Sequence, residues 1–456
     1  MQTKVCLAPL IKIGCSAAET LKGKAVERHN DNDRHARSFR GAATAMLCSG
    51  IEFFDVTLYA IFALTIGRTF FPSDNPETQL LTTLAVFGAS FVARPFGGVI
   101  VGIFADRHGR RAALILTAGA MATATAVIAL MPGYDQVGWV APAVILLARL
   151  VQGFAFGGEI GPSTAYAYEI APQHRRNLYA SWQPAGQGLA TMVAAIFGLA
   201  LGAILGQGVL EEWGWRIPFL VGSIALWIAL FSRRAMSETL PRAAEAVRSS
   251  GGRTIVELLT RYPTTLIAIA SQIAFGTISI YVCTYMNTYL QKTFALPPTI
   301  SYAATAVAGL SICAGSVAGG ALADAFGYRR VIYWSRGILL FAIYPLFSVA
   351  HTSVYGVLLL SSAFPFLAMV SGGASFGAIT GALPASLRST GLSVTYAVVV
   401  CLLGGSIQFV MTALIAFTGD QLVPAYCMVV ATLIGIAGVP WLTHGQKSGV
   451  LVAVVP

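Results

Sequence analysis

The sequence predicts an all-α membrane protein with twelve transmembrane helices in two pseudo-symmetric six-helix bundles. Three observations predict it. Of the 456 residues, 56% are hydrophobic and 11% charged, whereas a soluble domain carries roughly a quarter charged residues, so the apolar excess must face lipid. Twelve apolar stretches, each near the length of about 20 residues that crosses a bilayer core, fall at 41–66, 79–104, 112–133, 140–168, 178–206, 217–232, 264–291, 300–323, 331–350, 354–383, 390–417 and 422–443. Finally, one turn occurs twice at an offset of 218 residues: Gly102, Asp106, Gly109, Arg110 and Arg111, then Gly320, Asp324, Gly327, Arg329 and Arg330, the arginines one place later. A duplication of this kind builds two halves that rock against each other.

The elements follow in order. Residues 1–40 carry eight Lys or Arg and no unbroken apolar run, which predicts a disordered cytoplasmic tail rather than a signal peptide. The N-terminal bundle spans 41–232, a hydrophilic linker with six arginines spans 233–263, the C-terminal bundle spans 264–443, and a second tail spans 444–456. Fourteen Lys or Arg lie in the loops after the even-numbered spans against three in the opposite loops, so both termini and the linker are expected in the cytoplasm.

Composition also excludes functions. The net charge of +10 lies between apolar segments rather than along one folded face, so it reads as membrane topology and not as nucleic-acid binding. Of seven cysteines, Cys48, Cys283, Cys313, Cys401 and Cys427 fall inside apolar stretches without metal-ligand spacing and are expected to act as small apolar side chains. All six histidines lie in tails, loops or span ends, and the phosphate-cradling Gly-x-x-x-x-Gly-Lys-Ser/Thr sequence does not occur, which argues against an enzyme and against nucleotide-driven work. No cofactor or metal is expected, and a monomer in the bilayer is.

Charged side chains at the bilayer centre cost about 2.5–3.5 kcal/mol each, so the few present are expected to pair or to line a pathway. Glu52 and Asp55 share one face of the first span, and Arg94 on the second lies at a depth that lets it approach them. Such a carboxylate can take up and release a proton, and Glu159 on the fourth span is a further candidate. Static pairing of helices explains the same residues. Arg149 and Gln152 share a face of the fourth span, and Gln183 and Gln187 a face of the fifth; together they offer a bidentate fork and amides to carboxylates, or polar packing between helices. Tyr285 and Arg336 are the candidates in the second half. Arg336 is near enough to a span end to snorkel, and Tyr281 and Tyr289 read as an interfacial belt.

The repeated turn suggests a latch. Asp106 can pair with arginines at a neighbouring helix end, Arg107, Arg110 and Arg111 stand beside it, and Gly102 permits close backbone approach. Asp324, with Ala325 in place of Arg107, is expected to carry less of this role.

That turn resembles the loop signature of the major facilitator superfamily. Arg94, Pro95, Gly97 and Gly98, then Arg149, Gln152, Gly153, Gly157, Gly158 and Glu159, then Trp213, Trp215, Arg216 and Pro218 resemble its metabolite–proton symporter branch. Within the branch, Ser181, Trp182, Gln183 and Gln187, with Gly404, Gly405, Thr418, Gly419 and Asp420, are similar to citrate and tricarballylate carriers. The resemblance runs from about residue 38 to 443. It implies a multi-pass protein of the bacterial cytoplasmic membrane that imports a small organic anion together with protons, by alternating access. A di- or tricarboxylate such as citrate is the implied substrate; 2-oxoglutarate, shikimate, proline or betaine uptake and drug export are alternatives within the same fold.

Overall fold

The computed structural model describes residues 50–108, 110–157, 160–234, 257–351 and 353–443. The tails, most of the linker, Gly109 and Glu159 lie outside the described residues, as do the surroundings of Gly102 and the side chains of Asp106, Arg107, Arg110 and Arg111. Among the described residues there is no strand.

Helices α1 (Gly50–Ile61) and α2 (Ala63–Phe70) form one apolar segment bent by 67°. Helix α3 (Pro76–His108) opens on a proline behind Asn75, whose side chain accepts the N–H groups of Glu77 at 2.8 Å and Thr78 at 3.4 Å, satisfying donors that the first turn leaves open. Then come α4 (Arg110–Leu130), α5 (Val140–Phe156), α6 (Ile160–Ile170), the short α7 (Arg176–Ala180), α8 (Trp182–Leu205) and α9 (Arg216–Arg234). After the linker, α10 (Pro263–Thr293) and α11 (Pro298–Phe326) again start on prolines. Gly327, at φ +84°, turns α11 directly into α12 (Tyr328–Ala350), which explains the glycine three places after the aspartate in the second copy of the motif. Helices α13 (Val354–Gly381), α14 (Ala385–Leu403), α15 (Ser406–Thr418) and α16 (Val423–Gly438) complete the fold.

Among the described residues, eight helical segments are long and apolar enough to cross a bilayer, and the bent α1–α2 pair makes a ninth. Phe341, Tyr355 and Phe417 are 83–89% exposed on the outside, as side chains facing hydrocarbon are. The first expected span is bent at Phe62, and the helical pattern lapses at Ser181 in the fifth and at Gly404 and Gly405 in the eleventh, where the chain packs against Gly88 and Phe91 of α3.

Helix pairing repeats in the two halves. Helix α3 packs along α5, and α11 along α13. A Cβ at Gly97 would run into the Phe154 carbonyl of α5, and one at Gly315, exactly the motif offset away, would lie 2.5 Å from the Phe366 carbonyl of α13. Backbone contact at both crossings sets the distance between the paired helices. Across the halves, α8 packs on α11, and α3 and α6 on α14.

Gly97→Val and Gly315→Val should each lower the thermal unfolding midpoint of the detergent-purified protein, by the equivalent of about 1–3 kcal/mol for overpacking. Midpoints equal to that of the unchanged protein would contradict backbone contact at these crossings.

Candidate functional site

Asp55 on α1 and Arg149 on α5 meet in the centre of the first half. Asp55 Oδ2 lies 3.4 Å from Arg149 Nη1, and both side chains are fully buried. The same Nη1 donates to Gln152 Oε1 at 2.7 Å, and Gln152 Nε2 donates to Thr125 Oγ1 of α4 at 2.9 Å. The i, i+3 spacing of Arg149 and Gln152 produces this as expected. The guanidinium also stacks over Tyr59 at 4.5 Å and Phe87 at 5.3 Å. Asp55 Oδ1 and Arg149 Nε and Nη2 have no hydrogen-bond partner among the described residues. Glu52 is buried one turn earlier on α1.

Arg94 does not join Asp55, whose described ion pair is with Arg149. Two turns along α3 from Phe87, its guanidinium stacks over Phe91 at 3.9 Å and Phe156 at 4.4 Å. Between the two arginines stands Tyr281 of α10, 5.2 Å from the Phe91 ring and 6.2 Å from that of Phe87. Arg94 borders a cavity of about 10 Å³ with Phe156, Gly157, Ile160, Ser393 and Tyr396. Gln183 is buried with neither amide atom partnered among the described residues, and Gln187 lies within reach of the Tyr396 hydroxyl.

Two expectations for the second half are corrected. Tyr281 and Tyr289 form no interfacial belt: both are buried, and the Tyr289 hydroxyl donates to the Gln421 carbonyl at 2.7 Å. Arg336 does not snorkel. It is fully buried, donating to Ser371 Oγ at 2.7 Å and Ser375 Oγ at 3.2 Å and stacking over Phe275 at 4.0 Å. Gly435 makes this possible, since a Cβ there would lie 2.5 Å from Arg336 Nη1. The described contacts of Arg336 all lie within the second half. The Tyr285 hydroxyl lies 2.8 Å from Thr412 Oγ1 of α15, also within that half.

The aspartate of the second turn bridges the halves. Asp324 Oδ1 accepts from the main chain of Asn177 at 3.0 Å and its Nδ2 at 2.8 Å, and Oδ2 accepts from the Leu178 N–H at 2.9 Å. Its partners are thus two main-chain N–H groups and one side-chain amide of α7 rather than the arginines a charge argument suggests. Arg329 instead donates to the Pro440 carbonyl at 3.1 Å, within its own half. Nearby, Arg388 Nη1 pairs with Glu169 at 2.7 Å, joining α14 to α6. At the opposite end, Asn287 Nδ2 donates to the Ile61 carbonyl at the α1–α2 bend, at 2.8 Å. Contacts between the halves thus occur at both ends of the bundle, and the cavity beside Arg94, about 10 Å³, has room for one water rather than an organic anion.

Thr125, Asn177, Glu169, Ser393 and Tyr396 escaped sequence reasoning. A lone hydroxyl or amide in an apolar helix carries no spacing signal, and Arg388 counts there only as a topology charge.

Residues 45–407 match the Major Facilitator Superfamily. The chain is 35% identical over 396 residues to a citrate-proton symporter of Klebsiella pneumoniae, covering 86% of this chain and 89% of that one. It is 33% identical to the alpha-ketoglutarate permease of Escherichia coli (strain K12), covering 84% and 88%. The crystal structure of a D-xylose-proton symporter superposes with a TM-score of 0.69 at 17% identity, over 89% of this chain and 98% of that one.

Removing one member of a buried ion pair strands the other, at a cost of about 3–5 kcal/mol. Asp55→Ala and Arg149→Ala should each lower the unfolding midpoint, and the double variant should lose much less than the sum. Additive losses in this cycle would show that the two do not interact.

Proposed function

Because the chain belongs to the major facilitator superfamily, we propose that it is a proton-coupled symporter that imports a small organic anion, a di- or tricarboxylate such as citrate. Twelve spans are the reading of the eight long apolar segments, the bent α1–α2 pair and three shorter apolar helices, Ile115–Leu130, Val140–Phe156 and Arg216–Ile228. They form two bundles, 41–232 and 264–443, joined by the 233–263 linker, in a bacterial inner membrane. Both termini and the arginine-rich turns face the cytoplasm.

The observation that carries the reading is the fully buried Asp55–Arg149 pair, whose remaining polar atoms Oδ1, Nε and Nη2 have no hydrogen-bond partner among the described residues. Asp55 and a substrate carboxylate compete for the same guanidinium. When Asp55 takes up a proton, its hold on Arg149 weakens and the fork is free for the substrate; when the substrate leaves, Asp55 gives up the proton and pairs again. Transport of anion and proton is thereby linked at one residue. Glu52 and Glu159 assist the proton's passage, while Gln152, Gln183 and Gln187 orient the anion. Tyr285 closes the second half behind it, and Arg336 braces that half rather than reaching the substrate.

Two relatives named for organic acids support an acid as substrate, and a neutral sugar would leave Arg94 and Arg149 unmatched. A drug exporter would favour an apolar lining. The latch is the main-chain clasp of Asp324 on α7 together with Glu169–Arg388, with Asp106 and its arginines acting equivalently in the first half; the clasp holds the cytoplasmic side shut while the other side opens.

In proteoliposomes, an inward proton gradient should drive accumulation of labelled citrate or 2-oxoglutarate. Asp55→Asn should abolish uphill accumulation yet spare substrate counterflow, because exchange needs no net proton movement. Accumulation equal to wild type in this variant would place coupling elsewhere, and saturable uptake of proline indifferent to excess citrate would overturn the substrate class.

The clasp gives a separate expectation. Asp324→Ala should lower the maximal transport rate several-fold while the amount of protein in the membrane stays constant. An unchanged rate would reduce the turn to a topology signal.

A further inference from the structure

Arg94 poses a problem that the Asp55–Arg149 pair leaves unsolved. Its side chain is buried, its Nε has no hydrogen-bond partner, and no carboxylate pairs with it among the described residues. Stacking on Phe91 and Phe156 offsets part of the cost of desolvation but supplies no hydrogen-bond acceptor. What faces Arg94 across the cavity is α14 of the other half, which contributes Ser393, Tyr396 and Ala397 to the lining. Gln187 reaches the Tyr396 hydroxyl from α8. Tyr281 brings its hydroxyl within hydrogen-bonding reach of the Arg94 guanidinium but supplies no negative charge; hydroxyls beside a guanidinium that has no carboxylate partner among the described residues, with an amide behind them, are the donor set of a carboxylate site.

The geometry points to Ser393 and Tyr396 as substrate-binding residues that, with Arg94, hold a second carboxylate of the organic anion. The inference rests on the symporter reading above and extends it. The anion then spans two cationic centres, Arg149 at one end and Arg94 at the other, with the ring of Tyr281 between them. The two sides of the Arg94 site come from different halves of the protein, so a carboxylate there bonds α3 and α14 together. The cavity is narrow when the halves meet, so the carboxylate enters when α14 stands away from α3, and its binding favours closure. A monocarboxylate reaches only one of the two centres and gains only one set of contacts. Ser393 and Tyr396 therefore set a preference for acids with at least two carboxylates.

The test uses the full chain in proteoliposomes, with citrate and 2-oxoglutarate as polycarboxylates and acetate as the monocarboxylate competitor. Tyr396→Phe keeps the ring and removes the hydroxyl. It should raise the half-saturation concentration for citrate about tenfold, as loss of a hydrogen bond to a charged group does, with the maximal rate within about twofold and the unfolding midpoint unchanged. In Ser393→Cys, citrate should protect the new thiol from a maleimide and acetate should not. Unchanged half-saturation in Tyr396→Phe, or labelling of Ser393→Cys at the same rate with and without citrate, overturns the assignment while wild-type uptake leaves the symporter reading standing. If the wild-type protein accumulates neither acid, both readings fall.

Discussion

One buried ion pair organises the first half of this protein. An unpaired charge in the middle of a helix bundle is among the costliest arrangements a chain can adopt, and Asp55 with Arg149 resolves it across α1 and α5. The solution is incomplete. At 3.4 Å the pair is long, and three of its polar atoms have no partner among the described residues. A structural rivet would use those atoms; a site that must change partners keeps them free. Around the pair the packing is dense and aromatic: Tyr59, Phe87, Phe91 and Tyr281 exclude water and keep the electrostatics strong.

Most of the architecture was legible in the sequence because a bilayer imposes simple rules. Length and apolarity locate helices, and the repeated turn at an offset of 218 residues announced the duplication. Gly97 and Gly315 then prove to occupy matching crossings. Interruptions were harder to read. The bend at Phe62 has no proline or glycine to mark it, and the Ile61 carbonyl accepts from a residue on α10 more than 200 positions away.

The site was legible in its membership and not in its pairing. Every buried charge of the described spans was identified from its position within an apolar stretch, yet Arg149 rather than Arg94 reaches Asp55, because helical spacing fixes faces within a helix and says nothing of rotation between helices. Arg336 shows the same limit from the other side. Its distance from the span end suggested snorkelling, but serines on α13 and a glycine on α16 supply a buried seat, and those residue types are too common in membrane helices to signal one.

The clasp of Asp324 on the main chain of α7 has an evolutionary consequence. A bridge between two side chains constrains both residues, and losing either identity breaks it. Here, two of the three donors are peptide N–H groups, at Asn177 and Leu178, which every residue but proline supplies. Substitutions can therefore drift along residues 176–178 without dissolving the contact, whereas inserting or deleting a single residue before α7 would carry its amides out of reach. Selection at this junction acts on loop length more than on spelling, so descendants of this chain would keep the spacing of the 171–176 turn after its side chains had diverged.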